Sequence, residues 1–109
     1  MIAFRPAGPL LGFTAAASAP TSVQAISLDG VQQQQVVITN TDTTNDAVVG
    51  WGISDAVAKL NAAAAASVQN CTYVLHASQI VVTVPSNSYF SGITGSSTAV
   101  VKVQAGYGN

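Results

Sequence analysis

The side chains able to do acid–base, nucleophilic or metal chemistry are few. There is one histidine, His76, one cysteine, Cys71, and four acidic residues, Asp29, Asp42, Asp46 and Asp55, with no glutamate. Cys71 and His76 stand five positions apart, so on one extended strand they would face opposite sides, which disfavours a thiolate paired with an imidazole. Serines abound, yet no nucleophile-elbow pattern surrounds any of them. Asp42 and Asp46 fall in Asn40–Asp46 (NTDTTND). A calcium loop would need a ligand where Thr44 stands, and a distal glutamate that the chain lacks. The run reads instead as a solvated turn whose side chains hydrogen-bond their own backbone. Gly50-Trp51-Gly52 ahead of a helical segment has the outline of a dinucleotide-binding turn. The third glycine position holds Asp55, however, whose charge would repel a pyrophosphate. These glycines fit better as places where another backbone or ring packs close to Trp51. The residues therefore predict no catalytic, cofactor-binding or metal-binding site and no cofactor, and His76 reads as a turn residue.

The elements carrying these residues are β-rich. From Gln79 to Gln104, three runs, Gln79–Val84, Ser88–Thr94 and Thr98–Gln104, are separated by Pro85-Ser86-Asn87 and Gly95-Ser96-Ser97. Such polar breaks reverse a chain between antiparallel strands, and the spacing predicts a β-meander. In the last run Ala99, Val101 and Val103 alternate with Val100, Lys102 and Gln104, so one face is apolar and needs a second layer over it. Upstream, Ser22–Leu28 reads as a strand with Ile26 and Leu28 its bulkier candidates for burial, followed by a turn at Asp29-Gly30. Gln35–Thr39, centred on Val36-Val37-Ile38, and Ala47–Ile53 are the next strands. Ser54–Ser67 (SDAVAKLNAAAAAS) has helical character: Ser54 can cap, Asp55 suits the first turn, and Val57 and Leu60 could pin one side to the sheet. A surface loop competes, because an isolated helix of about thirteen residues is marginal in water. Cys71–Leu75 and Gln79–Val84 then follow as consecutive strands joined through His76-Ala77-Ser78. The expected fold is all-β, an antiparallel β-sandwich or small barrel of about seven or eight short strands with one short Ala-rich helix as an option.

A chain of 109 residues is one domain by size, and residues 1–12 read as an extended N-terminal arm held by a neighbour or by its own sheet. Met1 to Ala19 has the outline of a secretory signal ending in Ala17-Ser18-Ala19, but Pro6, Gly8, Pro9 and Gly12 break its apolar stretch. No run is long and apolar enough for a helix to span a bilayer, so no membrane is expected. Only 6% of residues are charged, against roughly 25% in ordinary soluble domains. A surface so poor in ions is suited to being covered by other subunits; a Ser/Thr/Asn-rich extracellular domain is the competing explanation. Net charge of −1 and three scattered basic residues argue against nucleic acid, which needs clustered Lys and Arg. Cys71 stands alone, so no intrachain disulfide forms, and its apolar run Cys71–Leu75 suggests a buried thiol acting as a small hydrophobe. Asn70-Cys71-Thr72 matches a glycosylation acceptor, which matters only in a eukaryotic secretory setting.

Several segments in order carry a family resemblance: Pro6-Ala7-Gly8-Pro9, Val36 to Asn40 (VVITN), Val48 to Gly52 (VVGWG) before the alanine-rich segment, Val82 to Thr94 (VTVPSNSYFSGIT) and Val101 to Gly108 (VKVQAGYG). Together they resemble the small β-rich virion structural proteins of tailed bacteriophages, of the head decoration or cement type. The chain departs from them in closing on Ala105 to Asn109 (AGYGN), where that family carries a proline and an acidic residue. The resemblance implies a non-enzymatic protein at the capsid surface of a virion. It would bind the major capsid protein or other virion proteins and assemble as a homo-oligomer, with the N-terminal arm and the Gly106-Tyr107-Gly108 tail in intersubunit contacts. A tail, neck, adaptor or fibre-base component is the alternative within that class. From another class, a carbohydrate-binding β-sandwich would use Trp51, Tyr89 or Tyr107 as a stacking platform.

Overall fold

Runs that alternate apolar and polar residues become strands because a pleated backbone sends successive side chains to opposite faces. A computed structural model describes residues 5–6, 8, 10–17, 22–24, 33–63, 70–95 and 97–107. Among them lie nine strands and one helix: β1 (Arg5–Pro6), β2 (Leu11–Ala16), β3 (Ser22–Gln24), β4 (Gln33–Asn40), β5 (Ala47–Gly52), α1 (Asp55–Ala63), β6 (Cys71–Val74), β7 (Ser78–Pro85), β8 (Tyr89–Thr94) and β9 (Thr98–Tyr107). All nine strands belong to one sheet, ordered β6-β5-β8-β2-β9-β4-β7, with β1 added on β9 and β3 on β8. The two end strands, β6 and β7, are consecutive in the chain, so the sheet curls into a nearly closed, all-β small barrel with one seam between them.

The barrel interior is filled from every wall. Phe13 and Ala15 of β2, Val36 and Ile38 of β4, Val101 and Val103 of β9 and Phe90 of β8 are all buried. Burying a side chain the size of Ile38 or Phe90 contributes roughly 1.5–3 kcal/mol. The alternation along β9 is as expected, with Ala99, Val101 and Val103 inward and Val100 exposed, and it continues to Ala105.

Strand pairing corrects the meander. β7 pairs with β4, β8 with β5 and β3, and β9 with β2, β4 and β1. None of the three C-terminal strands forms a ladder with another. The chain does reverse direction from β7 to β8 and from β8 to β9, but β2 occupies the place between β8 and β9. The sheet is also mixed: Ala16 and Ile93 join β2 to β8 in parallel, while the other pairings are antiparallel. Only Ser22–Gln24 of the expected Ser22–Leu28 strand is seen, with Val23 packed on the core. Ile26, Leu28 and the Asp29-Gly30 turn lie outside the described residues. In the N-terminal segment, Arg5–Pro6 pairs with Gly106 and Tyr107, and Leu11–Gly12 pairs with Lys102 and Val103 of the same chain.

The helix sits on the outer face of the barrel. Ser54 caps it, its Oγ accepting from Val57 N at 3.3 Å, and Asp55 pairs with Lys59 one turn on at 3.4 Å. The sheet-facing residues are Ala58 and Ala62, both fully buried, whereas Leu60 is 64% exposed. The expectation that Leu60 pins the helix is thus wrong, and the reason is distance. A Cβ on Gly50 would collide with the Ala62 backbone nitrogen and lie 2.8 Å from its Cα; a Cβ on Gly52 would collide with Val57 Cγ1. The two glycines admit the helix closely, with Ala62 over Gly50 and the Val57 side chain over Gly52, so Val57 does face the sheet as expected while Leu60 does not. Residues 64–67 of the expected helix lie outside the described residues.

Candidate functional site

Of the chemistry-bearing residues, Asp55 pairs with Lys59 on α1, and Asp29 lies outside the described residues. Asp42, Asp46 and His76 lie at one end of the β6/β7 seam and Cys71 at the other. At one end the β4–β5 loop, residues 41–46, reaches across to the β6–β7 turn. Asn40, at the end of β4, is buried with an all-polar side chain, which is tolerable only if it is satisfied. Its Nδ2 donates to Asn45 O (2.9 Å) and Val74 O (3.1 Å), and its Oδ1 accepts from Asp42 N (3.0 Å). Asp42 Oδ2 accepts from the backbone of Thr44 (2.8 Å) and Asn45 (2.6 Å), and these two bonds hold its carboxyl below the ordinary carboxylate range. Asp42 O in turn accepts from Ala77 N at 2.7 Å, at a residue held at positive φ (54°).

Asp46 completes the clamp. One oxygen, Oδ1, accepts from His76 N at 2.9 Å and from His76 Nδ1 at 2.7 Å. The backbone bond first and the imidazole bond second lower the Asp46 pKa below its usual value. An ionised carboxylate can only accept, so the ring proton sits on Nδ1. A carboxylate orienting an imidazole is two parts of a hydrolytic triad. The nearby Ser78 Oγ, however, donates to the His76 carbonyl at 3.2 Å rather than to the ring. Both partners are about half exposed, and among the described residues no side chain hydrogen-bonds the other ring nitrogen. The arrangement therefore ties a turn to a loop. The described residues contain no group of three or more His, Cys, Asp or Glu placed to hold a metal ion.

At the other end a cavity of about 280 Å³ lies between the end of β5, the start of α1, Asn70 ahead of β6 and the β7–β8 turn. Trp51, Ile53, Val57 and Pro85 supply its apolar walls, Asn70 and Ser88 its polar side chains. Ser88 Oγ is already engaged with Pro85 O at 2.6 Å. Trp51 points to the inner face, where its ring meets Phe90 at 6.2 Å between centroids and 44° between planes. Asn61 Nδ2 donates to Trp51 O at 2.7 Å and so fixes the helix to the cavity wall. Among the described residues no titratable side chain lines this cavity.

The structure separates the residues that sequence reasoning weighed together. Cys71 and His76 lie at opposite ends of β6, and Cys71 is half-buried beside Gly50 rather than in the core. Trp51 stands opposite Phe90, and Tyr89 opposite Gly52, so Trp51 and Tyr89 face opposite sides of the sheet and form no common platform. Tyr107 pairs with Arg5 at the far end of β9. Asn40 and the Asp46–His76 pair were not foreseen as partners. The two members of that pair are 30 residues apart, and no local pattern links them. No protein-family model matches the chain, and no curated protein matches it in sequence.

Proposed function

We propose that this protein is a non-enzymatic virion structural component, a capsid decoration or cement protein that stabilises the head of a tailed bacteriophage through contacts with the major capsid protein and with further copies of itself. The observation that carries this reading is the character of the surface. Only 6% of residues are charged, while Ile53 (82% exposed), Tyr73 (70%), Leu60 and Leu75 stand out from a barrel whose interior is already filled. Scattered exposed apolar residues are ordinary by themselves; on a surface with so few ions overall to keep it dispersed, they favour burial against other subunits. The small barrel supports the reading as well, since it supplies a framework that leaves Tyr73 of β6, Leu75 and the outer face of β7 exposed for contact. Many copies on one particle would let weak individual contacts hold firmly.

The test is to purify virions on a density gradient and probe the fractions with antibody raised against the purified chain. Co-migration with intact heads, and its loss from tail-only fractions, is the expected result. Recovery only among slowly sedimenting proteins would refute the virion reading, and recovery with tails would move the protein to a tail or neck position.

A further inference from the structure

A strand at the end of a sheet presents a row of unpaired backbone N–H and C=O groups, and proteins that stay monomeric blunt such edges with charge, proline, a bulge or brevity. The two end strands of this sheet differ in that respect. β6 is four residues long, which is protection in itself. β7 is eight residues long, Ser78–Pro85, and pairs only with β4 among the described strands. It contains no charged residue, its single proline is its last residue, and its register with β4 runs without a bulge from Gln33↔Pro85 to Asn40↔Ser78. The neighbouring β4 carries no charge either. At the middle of this edge Val81 is 44% exposed and Ile80 36% exposed.

We propose that β7 is the surface through which two copies of this chain pair, antiparallel about a two-fold axis at Val81, into one continuous sheet. The occupant follows from self-complementarity. A two-fold at Val81 sets Val81 of one copy against Val81 of the other, Gln79 against Thr83, and Ile80 against Val82. Those are β-branched or amide–hydroxyl pairs, with no like charges opposed. Val37 stands beside Val81 on the outer face, so the junction joins two valine pairs into one apolar strip and covers the exposed Val81. The pairing rests on the self-assembly part of the proposed function and is independent of the protein's location on a particle.

Size-exclusion chromatography with light scattering and a cysteine pair test it on the full chain. The wild type is expected to run as a dimer, and Val81→Lys as a monomer with unchanged far-UV circular dichroism. Two lysines placed directly opposite should weaken association by more than about a hundredfold. In a Cys71→Ser background, Val81→Cys is expected to form an interchain disulfide on mild oxidation, because directly opposed residues lie about 4.5–5.5 Å apart between Cα atoms. Thr83→Cys, which meets Gln79, is expected to stay reduced. A wild-type oligomer indifferent to Val81→Lys, cross-linking at position 83 instead of 81, or open-ended fibre growth would overturn the two-fold at β7 while leaving assembly itself standing. A wild type that is monomeric at every concentration would overturn both, and the density-gradient result would still stand or fall separately.

Discussion

The two ends of the β6/β7 seam face the same structural demand with opposite chemistry. At the turn end, where no ladder joins the strands, side chains replace it: Asn40 donates to Val74 O, Asp46 accepts twice from His76, and Asp42 O accepts from Ala77 N. At the far end an apolar cavity lies beside Trp51 and Pro85. A barrel can therefore be held shut at one end by a few polar residues while its other end keeps a cavity. The open end depends on something else, the helix that walls it. The comparison predicts that the open end fails by overpacking and the clamped end by loss of hydrogen bonds.

Gly50→Val should produce the largest effect. Its branched side chain would be driven into the Ala62 backbone, displacing α1 and with it Val57 and the Asn61 bond to Trp51 O. Overpacking of this kind costs on the order of 3 kcal/mol, more where backbone must move. Urea unfolding read by Trp51 fluorescence measures it. A variant as stable as wild type would mean that the helix is free to ride outward and does not define the cavity.

Asn40→Ala strikes the clamped end. It removes three hydrogen bonds of a fully buried amide and leaves the Val74 carbonyl and Asp42 N–H in search of partners. The expected loss is about 2 kcal/mol, accompanied by faster amide exchange at His76 and Ala77. Exchange rates there equal to wild type would show that the turn does not need the clamp.

This contrast also marks what could be read in the residues before any coordinates. Strand identity was legible where alternation is clean, as in β9, whose inward Ala99, Val101 and Val103 are all buried. Close approach at Gly50 and Gly52 was legible too, because glycines flanking a tryptophan in a strand have few other uses. What approaches them was not: the choice of Ala62 over Leu60 depends on how near the helix axis lies to the sheet, a tertiary quantity. Strand order was hidden for a similar reason. β2 (LGFTAA) lacks the β-branched run that announces a strand, yet it lies between β8 and β9 and pairs residue for residue from Leu11↔Val103 to Ala16↔Thr98. Small residues such as Ala15 suit the crowded interior there, so the composition that disguises the strand also fits it to its place. The clamp joins loops distant in sequence, and neither loop alone encodes the other.

Acidification should give the smallest and most selective change. The folded-state pKa values of Asp42 and Asp46 are both depressed, by backbone N–H groups first and, for Asp46, by the His76 ring second. A depressed carboxylate pKa means that the folded state favours the ionised form. The stability it contributes is complete above the unfolded value near about pH 4 and is lost as pH falls through the lower folded value. Thermal melts should therefore show no change from this source at neutral pH and a decline below about pH 4. Asp46→Asn should flatten part of that decline. His76→Ala should preserve more of it than Asp46→Asn does, since the backbone N–H of residue 76, the larger cause, survives the substitution. Equal flattening by the two variants would assign the effect to the imidazole instead. The clamp would then be an ion pair between side chains, open to salt screening, rather than a carboxylate seated on a turn.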